Sequence, residues 1–286
     1  MTEIKQRLLL FDILRIIAIS MVIIHHLYKL PMFPFFGIET LSLGKAGVII
    51  FVFISGALLY LSKNEFHGTP DILKFYYKRT LRIYPALWLS ILMAIIFYPD
   101  GLKQQTLESM IVQLTGTVVY NKTVYGMYAV LYNQMSWFVG LIVPFYIAYP
   151  LILKFIKNSP YITLFISIFI TVFSTIYFHR SINIGTPETY IMYFVFGMFI
   201  AHMGLYNKTV NTDKNLIFVS DLAFYMFLTN VIIIGHLEYN TVMFFIALPI
   251  YSFVLMKADN LVKSKIDYIL NVLYSYVATK KSDVIY

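Results

Sequence analysis

Long apolar stretches separated by short polar segments dominate the chain. The first two cover residues 8–27 and 46–61, and a polar segment follows at residues 62–82. Six further apolar stretches lie at residues 83–97, 137–153, 161–178, 190–203, 216–234 and 242–255. Because about 20 apolar helical residues cross the hydrocarbon core of a bilayer, the pattern predicts an all-α, multi-pass membrane bundle of about eight to ten transmembrane helices.

The composition supports this prediction and excludes several classes of protein. Hydrophobic residues make up 59% of the 286 residues and charged residues 13%, whereas soluble domains have about 45–50% and about 25%. A water-soluble enzyme and a disordered chain are therefore excluded. The sequence has no cysteine, which excludes a disulfide scaffold. We see no internal repeat, and residues 1–286 are interpreted as one membrane-embedded domain in the cell membrane.

The distribution of basic residues predicts the orientation. The 22 Lys and Arg residues exceed the 14 Asp and Glu residues, for a net charge of +8. In so apolar a chain this indicates contact with an anionic membrane face rather than with nucleic acid. Residues 62–82 form the most basic short loop and are predicted to be cytoplasmic.

One short segment decides the topology. Residues 106–120 are too short and polar for an ordinary span. Interpreting them as a half-span or interfacial helix places all the later lysine-rich ends on the cytoplasmic side, together with both termini. The segment at residues 266–277 is amphipathic and is predicted to lie on the membrane surface.

The first apolar stretch carries four ionisable residues, which are costly inside a membrane and are therefore functional candidates. Arg15 and His26 are eleven positions apart, so they share one helix face about 16 Å apart along the axis. Asp12 lies one turn before Arg15 and can pair with it. His25 points about 100° away from His26. A structural ion pair with two interfacial histidines would give the same spacing, so this alternative stays open.

A second candidate group lies at the end of the basic loop. Arg79 and Arg82 are three positions apart and share one helix face at the membrane entry. Guanidinium groups at such a place are suited to binding phosphates. A plain positive-inside anchor with an aromatic belt accounts for the same residues, and both interpretations stay open.

These motifs, in their order and spacing, resemble acyltransferase family 3, the multi-pass membrane O-acyltransferases of surface glycans. The family's Asp-x-x-Arg-x-x-Ala and Arg-x10-His patterns are matched by Asp12, Arg15, Ala18 and His26. Its Arg-x-x-Arg motif is matched in the aromatic and proline setting of the family by Tyr76, Tyr77, Arg79, Arg82, Ile83 and Pro85. The segments 47–59, 136–150 and 194–198 are similar to later parts of the pattern. The resemblance is clearest over residues 8–156.

Two positions depart from the family pattern. Ile142 stands where many relatives carry a glutamate, and Asn230 stands where a late histidine is expected. Both departures bear on the acceptor and on the chemistry.

The resemblance implies transfer of an acyl group, most often acetyl from acetyl-CoA, to a hydroxyl of a glycan or lipid-linked sugar. His26 is then the expected base, because a neutral imidazole can take the proton of an attacking hydroxyl. Arg15, fixed by Asp12, would orient the donor or balance its charge. Arg79 and Arg82 would hold phosphates of CoA on the cytoplasmic side. The scattered histidines show no metal-ligand spacing, so no metal is expected.

Two other classes remain open at this point. An exporter or flippase for a glycan or lipid would use the same helices without transfer chemistry, and the departures at Ile142 and Asn230 favour it. A structural subunit of a glycan-assembly complex would explain the apolar composition but not the ionisable residues of the two candidate groups. The joint presence of Arg15, His26 and the Arg79–Arg82 pair favours the enzyme.

Overall fold

The computed structural model describes residues 9–28, 33–35, 38–100, 106–118, 133–177, 186–205, 214–237 and 240–282. These residues form helices and one short hairpin, in the order α1 (Leu9–Tyr28), β1 (Phe33–Phe35), β2 (Ile38–Leu41), α2 (Leu43–Ser62), α3 (Thr69–Phe97), α4 (Leu107–Thr115), α5 (Trp137–Asn158), α6 (Pro160–Tyr177), α7 (Pro187–His202), α8 (Lys214–His236) and α9 (Thr241–Ser282). In the antiparallel hairpin Phe35 pairs with Ile38. The hydropathy pattern did not predict this hairpin.

Seven helices in the described part of the chain are long and apolar enough to cross a membrane: α1, α2, α3, α5, α6, α8 and α9 as far as Val272. The predicted multi-pass helical membrane bundle is therefore confirmed. Of the eight predicted spans, the one that is not among these seven is the stretch at residues 190–203. It corresponds to α7, which has 16 residues. At 1.5 Å per residue it extends about 24 Å, less than the hydrocarbon thickness of about 30 Å.

Close contact between α2 and α7 holds the centre of the bundle. A Cβ added to Gly56 would lie 2.0 Å from the carbonyl oxygen of Phe194, and one added to Gly197 would lie 2.1 Å from that of Phe53. Only glycine permits such an approach, and small residues allow membrane helices to gain van der Waals contact where hydrophobic driving force is weak. The other side of α2 packs against α1.

The predicted half-span or interfacial helix corresponds to α4, which has 9 residues. It begins at a capping box formed by Thr106 and Ser109 and ends at Gly116 in the left-handed region, at φ 74°. Its last carbonyls accept hydrogen bonds from α3: Trp88 Nε1 donates to Leu114 O at 2.9 Å, and the Tyr84 hydroxyl donates to Thr115 O at 3.2 Å. Both donors precede the end of α3 by two turns or more, so α4 enters the bundle and stops there.

The C-terminal end of α5 lies beside the basic loop. Lys157 Nζ lies 3.3 Å from Glu65 Oε1 in the connection between α2 and α3. We call this side of the bundle the inner side, and the side of the β-hairpin the outer side. Assignment of the inner side to the cytoplasm remains a prediction from charge.

Helix α9 is longer than a bilayer is thick, because its 42 residues extend about 63 Å. Its inner half lies along α3, where the Tyr77 hydroxyl donates to Asp267 Oδ1 at 3.2 Å. The segment at residues 266–277 belongs to this continuous helix. Its position on the membrane surface stays a prediction.

Candidate active site

The inner end of α1 carries an ion pair fixed by α8. Asp12 is 2% exposed, and its Oδ1 accepts hydrogen bonds from Ser220 Oγ at 2.6 Å and from Arg15 Nη1 at 3.2 Å. Arg15 Nη1 also donates to Ser220 Oγ at 3.2 Å. The Asp12–Arg15 pair expected from the helical spacing is thus present. Ser220 was not predicted, because spacing within one helix does not reveal a neighbouring helix.

The outer end of α1 carries the two histidines, and they face different neighbours. Their ring centroids are 5.5 Å apart. His25 packs against α2 so closely that a Cβ on Gly44 would lie 2.6 Å from His25 Cδ2. The His26 imidazole interacts instead with the side chain of Asn230 on α8. Both rings are half-buried, and the Nδ1 atom of each is buried without a hydrogen-bond partner among the described residues.

Asn230 is fully buried beside His26 and has a fixed amide orientation. Its Nδ2 donates to the carbonyl oxygens of Met226 at 3.2 Å and Phe227 at 2.6 Å. Since both partners are acceptors, the amide nitrogen must face them, and Oδ1 faces away. Within the described ranges Oδ1 has no hydrogen bond of normal geometry. The position that departs from the family pattern therefore lies next to the predicted base.

Arg79 and Arg82 differ, although they lie one turn apart on α3. The Arg79 guanidinium lies over the rings of Phe75 and Tyr146, at 5.3 Å and 5.7 Å from their centroids. Its Nε is buried and has no partner in the part of the chain that the structure describes. Arg82 is exposed. The pair thus consists of one arginine held by aromatic rings and one at the surface.

A buried carboxylate on α9 lies close to Arg82. Asp259 is fully buried and accepts a hydrogen bond from the Tyr225 hydroxyl of α8 at 2.6 Å. Lys263 pairs with the same carboxylate oxygen, and its Nζ also donates to the backbone carbonyl of Arg82 at 3.4 Å. Sequence analysis missed this cluster. The Asp–Lys spacing of four residues on an apolar helix was the available signal.

Helix α8 connects these groups from the inner side towards the outer side. Ser220 contacts the ion pair, Tyr225 contacts the cluster beside Arg82, and Asn230 contacts His26. Each step of five residues raises the position by about 7.5 Å along the helix axis. Asn230, which lies beside the predicted base His26, is therefore about 7.5 Å farther from the inner side along α8 than Tyr225, which belongs to the cluster beside Arg82.

Two further observations concern what the site can bind. Ile142 lies in the apolar core at 3% exposure, so this position carries a packed apolar side chain. Over the described ranges no three His, Asp or Glu side chains come together in a way that could hold a metal ion.

Comparison with known proteins gives one match. A family model described as an acyltransferase domain matches residues 9–276. No curated protein and no solved structure matches the chain. The matched range includes α1 to α8 and most of α9.

Proposed function

Because the chain belongs to acyltransferase family 3, we propose that it transfers an acetyl group from acetyl-CoA to a hydroxyl of a cell-surface or lipid-linked glycan. Membership of the family and the seven apolar helices make the protein a multi-pass membrane acyltransferase. The donor, the acceptor and the residue roles are our proposal. The main observation in its support is the half-buried His26, whose Nδ1 has no hydrogen-bond partner among the described residues and which lies next to the buried amide of Asn230.

His26 is the proposed general base. A neutral imidazole nitrogen takes the proton of the acceptor hydroxyl while its oxygen attacks the thioester carbonyl. The new C–O bond forms, the C–S bond breaks, and the CoA thiolate leaves with the proton returned by the imidazolium. No net proton is consumed, so His26 is neutral again at the end of each cycle.

Arg15 has a separate role at the inner end of the same helix. Asp12 and Ser220 hold its guanidinium in place. A positive charge fixed there can orient the acetyl donor and balance its negative charge. Because Asp12 is buried and paired, the carboxylate positions Arg15 and is not proposed to take the proton of the acceptor.

Arg79 and Arg82 are the proposed phosphate-binding residues. Exposed Arg82 can reach the phosphates of CoA directly, since its planar guanidinium forms paired hydrogen bonds with such oxygens. Arg79 is held by rings on two helices and provides a fixed positive charge one turn away. With the donor entering from this inner side, the thioester has to extend about one and a half helical turns to reach His26.

The direct experiment uses purified protein in liposomes with labelled acetyl-CoA, scoring donor binding and alkali-labile transfer to a panel of membrane glycans. His26→Ala is expected to abolish transfer and retain binding. A combined Arg79→Ala and Arg82→Ala variant is expected to lose binding. His67→Ala is the matched control, because His67 lies exposed in the loop between α2 and α3. Retained transfer in His26→Ala would contradict the role of this residue.

The second candidate function is export or flipping of a glycan or lipid on the same helices. The replacement of an acidic residue by buried Ile142 is the observation that favours it. Well-folded protein that binds no acetyl-CoA would support this function and contradict the acyltransferase proposal.

A further inference from the structure

We propose that Asn230 is the positioning residue of His26, with its Oδ1 accepting a hydrogen bond from His26 Nδ1–H so that Nε2 is left as the base. This inference rests on the proposed function of His26. It assigns a role to the residue that stands at a departure from the family pattern.

The orientation of Asn230 is the first step. The two hydrogen bonds from Nδ2 to Met226 O and Phe227 O fix the side chain against its own helix. The amide therefore has one direction available, with Oδ1 pointing away from those carbonyls. Asn230 is fully buried, so water does not provide a ready substitute donor.

The second step is the coincidence of two unsatisfied atoms. Asn230 Oδ1 is a buried acceptor without a partner, and His26 Nδ1 is a buried ring nitrogen without a partner, both with respect to the described residues. The two side chains lie next to each other. One hydrogen bond between them satisfies both atoms. A buried polar atom without a hydrogen bond costs about 1–3 kcal/mol, so this bond is favoured over leaving both atoms unsatisfied.

The chemical consequence is a defined tautomer. With the proton on Nδ1, the lone pair lies on Nε2, and that nitrogen accepts the proton of the acceptor hydroxyl. Nδ1–H keeps its bond to Asn230 while the ring is positively charged, and the amide oxygen dipole stabilises that charge. A base oriented by a third group is the general arrangement of nucleophilic sites, and an asparagine can serve as the third group.

Two near-isosteric substitutions separate positioning from packing. Asn230→Leu removes the acceptor and fills the same volume. In Asn230→Asp, a protonated carboxyl can donate from one oxygen to Phe227 O, and its other oxygen then remains as the acceptor that faces His26. If Asn230 only packs, leucine should be tolerated and aspartate should be harmful. If Asn230 positions His26, leucine should lower the activity and aspartate should be tolerated.

The measurements are kcat, the KM for acetyl-CoA and thermal stability for each variant in detergent. We expect Asn230→Leu to lower kcat by about 10²-fold or more, the scale of correctly positioned acid–base catalysis. Asn230→Asp should stay within about tenfold of wild type on the same scale. The KM for acetyl-CoA should not change in either variant, since the donor phosphates bind at another place.

Several outcomes would overturn the inference. They are wild-type kcat in Asn230→Leu, equal loss of kcat in both variants, and a raised KM for acetyl-CoA as the main effect. If Asn230→Leu does not fold, Asn230→Ala takes its place, and failure of both to fold would identify a packing residue. Wild-type protein without any transfer would instead contradict the proposed function, so the two failures are distinguishable.

Discussion

The two ends of α1 differ in how their ionisable groups are satisfied. At the inner end one carboxylate oxygen of Asp12, Oδ1, accepts hydrogen bonds from both Arg15 and Ser220, while Oδ2 is buried without a partner among the described residues. At the outer end His25 and His26 bring two buried ring nitrogens without partners among the described residues. The same helix therefore carries an ion pair at one end and, at the other, two histidines that form no ion pair with the described residues.

This difference indicates separate roles for the two ends. Ionisable groups in membrane helices are costly, and pairing is how a structural group offsets that cost. A buried imidazole outside an ion pair persists where a substrate supplies the missing partner or where a small movement completes a hydrogen bond. The ion pair at the inner end thus holds Arg15 in place and stabilises the α1–α8 contact, and the outer end is where we expect the proton transfer.

The largest expected effect separates the two histidines of the outer end. His26→Ala should lower kcat by about 10²–10⁴-fold, the contribution of a general base. His25→Ala should have a smaller effect, because His25 faces Gly44 on α2 and not Asn230. The test is the initial rate of acetyl transfer at saturating acetyl-CoA. A larger loss in His25→Ala would exchange the roles of the two residues.

The next effect concerns stability at the inner end. Asp12→Ala leaves the half-buried charge of Arg15 without its carboxylate, and breaking a buried pair in this way costs about 3–5 kcal/mol. Ser220→Ala removes one neutral hydrogen bond and should cost about 1 kcal/mol. Thermal unfolding in detergent measures both. Equal shifts in the two variants would show that the carboxylate charge contributes little.

The spans and the inner ion pair could be predicted from the sequence because they depend on local pattern. Apolar stretches of sufficient length define α1, α2 and α5, and a spacing of three residues brings Asp12 to Arg15 in any helix. That α4 is shorter than a membrane span also followed from its sequence, and its position in the membrane stays a prediction.

The contacts between helices could not be predicted in the same way. Hydropathy does not say which helices are neighbours, so the approach of Asn230 to His26 and of Ser220 to Asp12 became visible only in the fold. The continuation of α9 through a polar stretch was missed for a related reason. Its inner half contacts α3 through Tyr77 and Asp267.

A comparison of two buried asparagines gives the third prediction. Asn133 is as buried as Asn230, but its amide is satisfied: Nδ2 donates to Ser90 Oγ and Leu228 O, and Oδ1 accepts from Met135 N. Asn133→Leu should lower the free energy of unfolding by about 1–3 kcal/mol. Asn230→Leu should lower it less and reduce kcat more.

Thermal unfolding and kcat, measured side by side on both variants, test this contrast. A stable but inactive Asn133→Leu protein would reverse the assignment of the two residues. A destabilised Asn230→Leu protein with normal kcat would do the same.

The smallest expected effect compares the two arginines of α3. Arg82→Gln removes an exposed charge and should weaken acetyl-CoA binding by about tenfold, in line with about 1.4 kcal/mol for a charge-assisted hydrogen bond. The difference in acetyl-CoA affinity between wild type and Arg82→Gln should become smaller as the salt concentration rises, because salt screens exposed charges. Arg79→Gln should also lower thermal stability, since it removes a guanidinium packed on Phe75 and Tyr146.

The readout for the arginines is the Kd of labelled acetyl-CoA at low and high salt, together with the unfolding temperature. Lys74→Gln is the matched control, because Lys74 is an exposed residue on the same inner part of α3. Binding equal to wild type in Arg82→Gln would remove this residue from the donor site. Unchanged stability in Arg79→Gln would show that the aromatic rings tolerate an uncharged side chain.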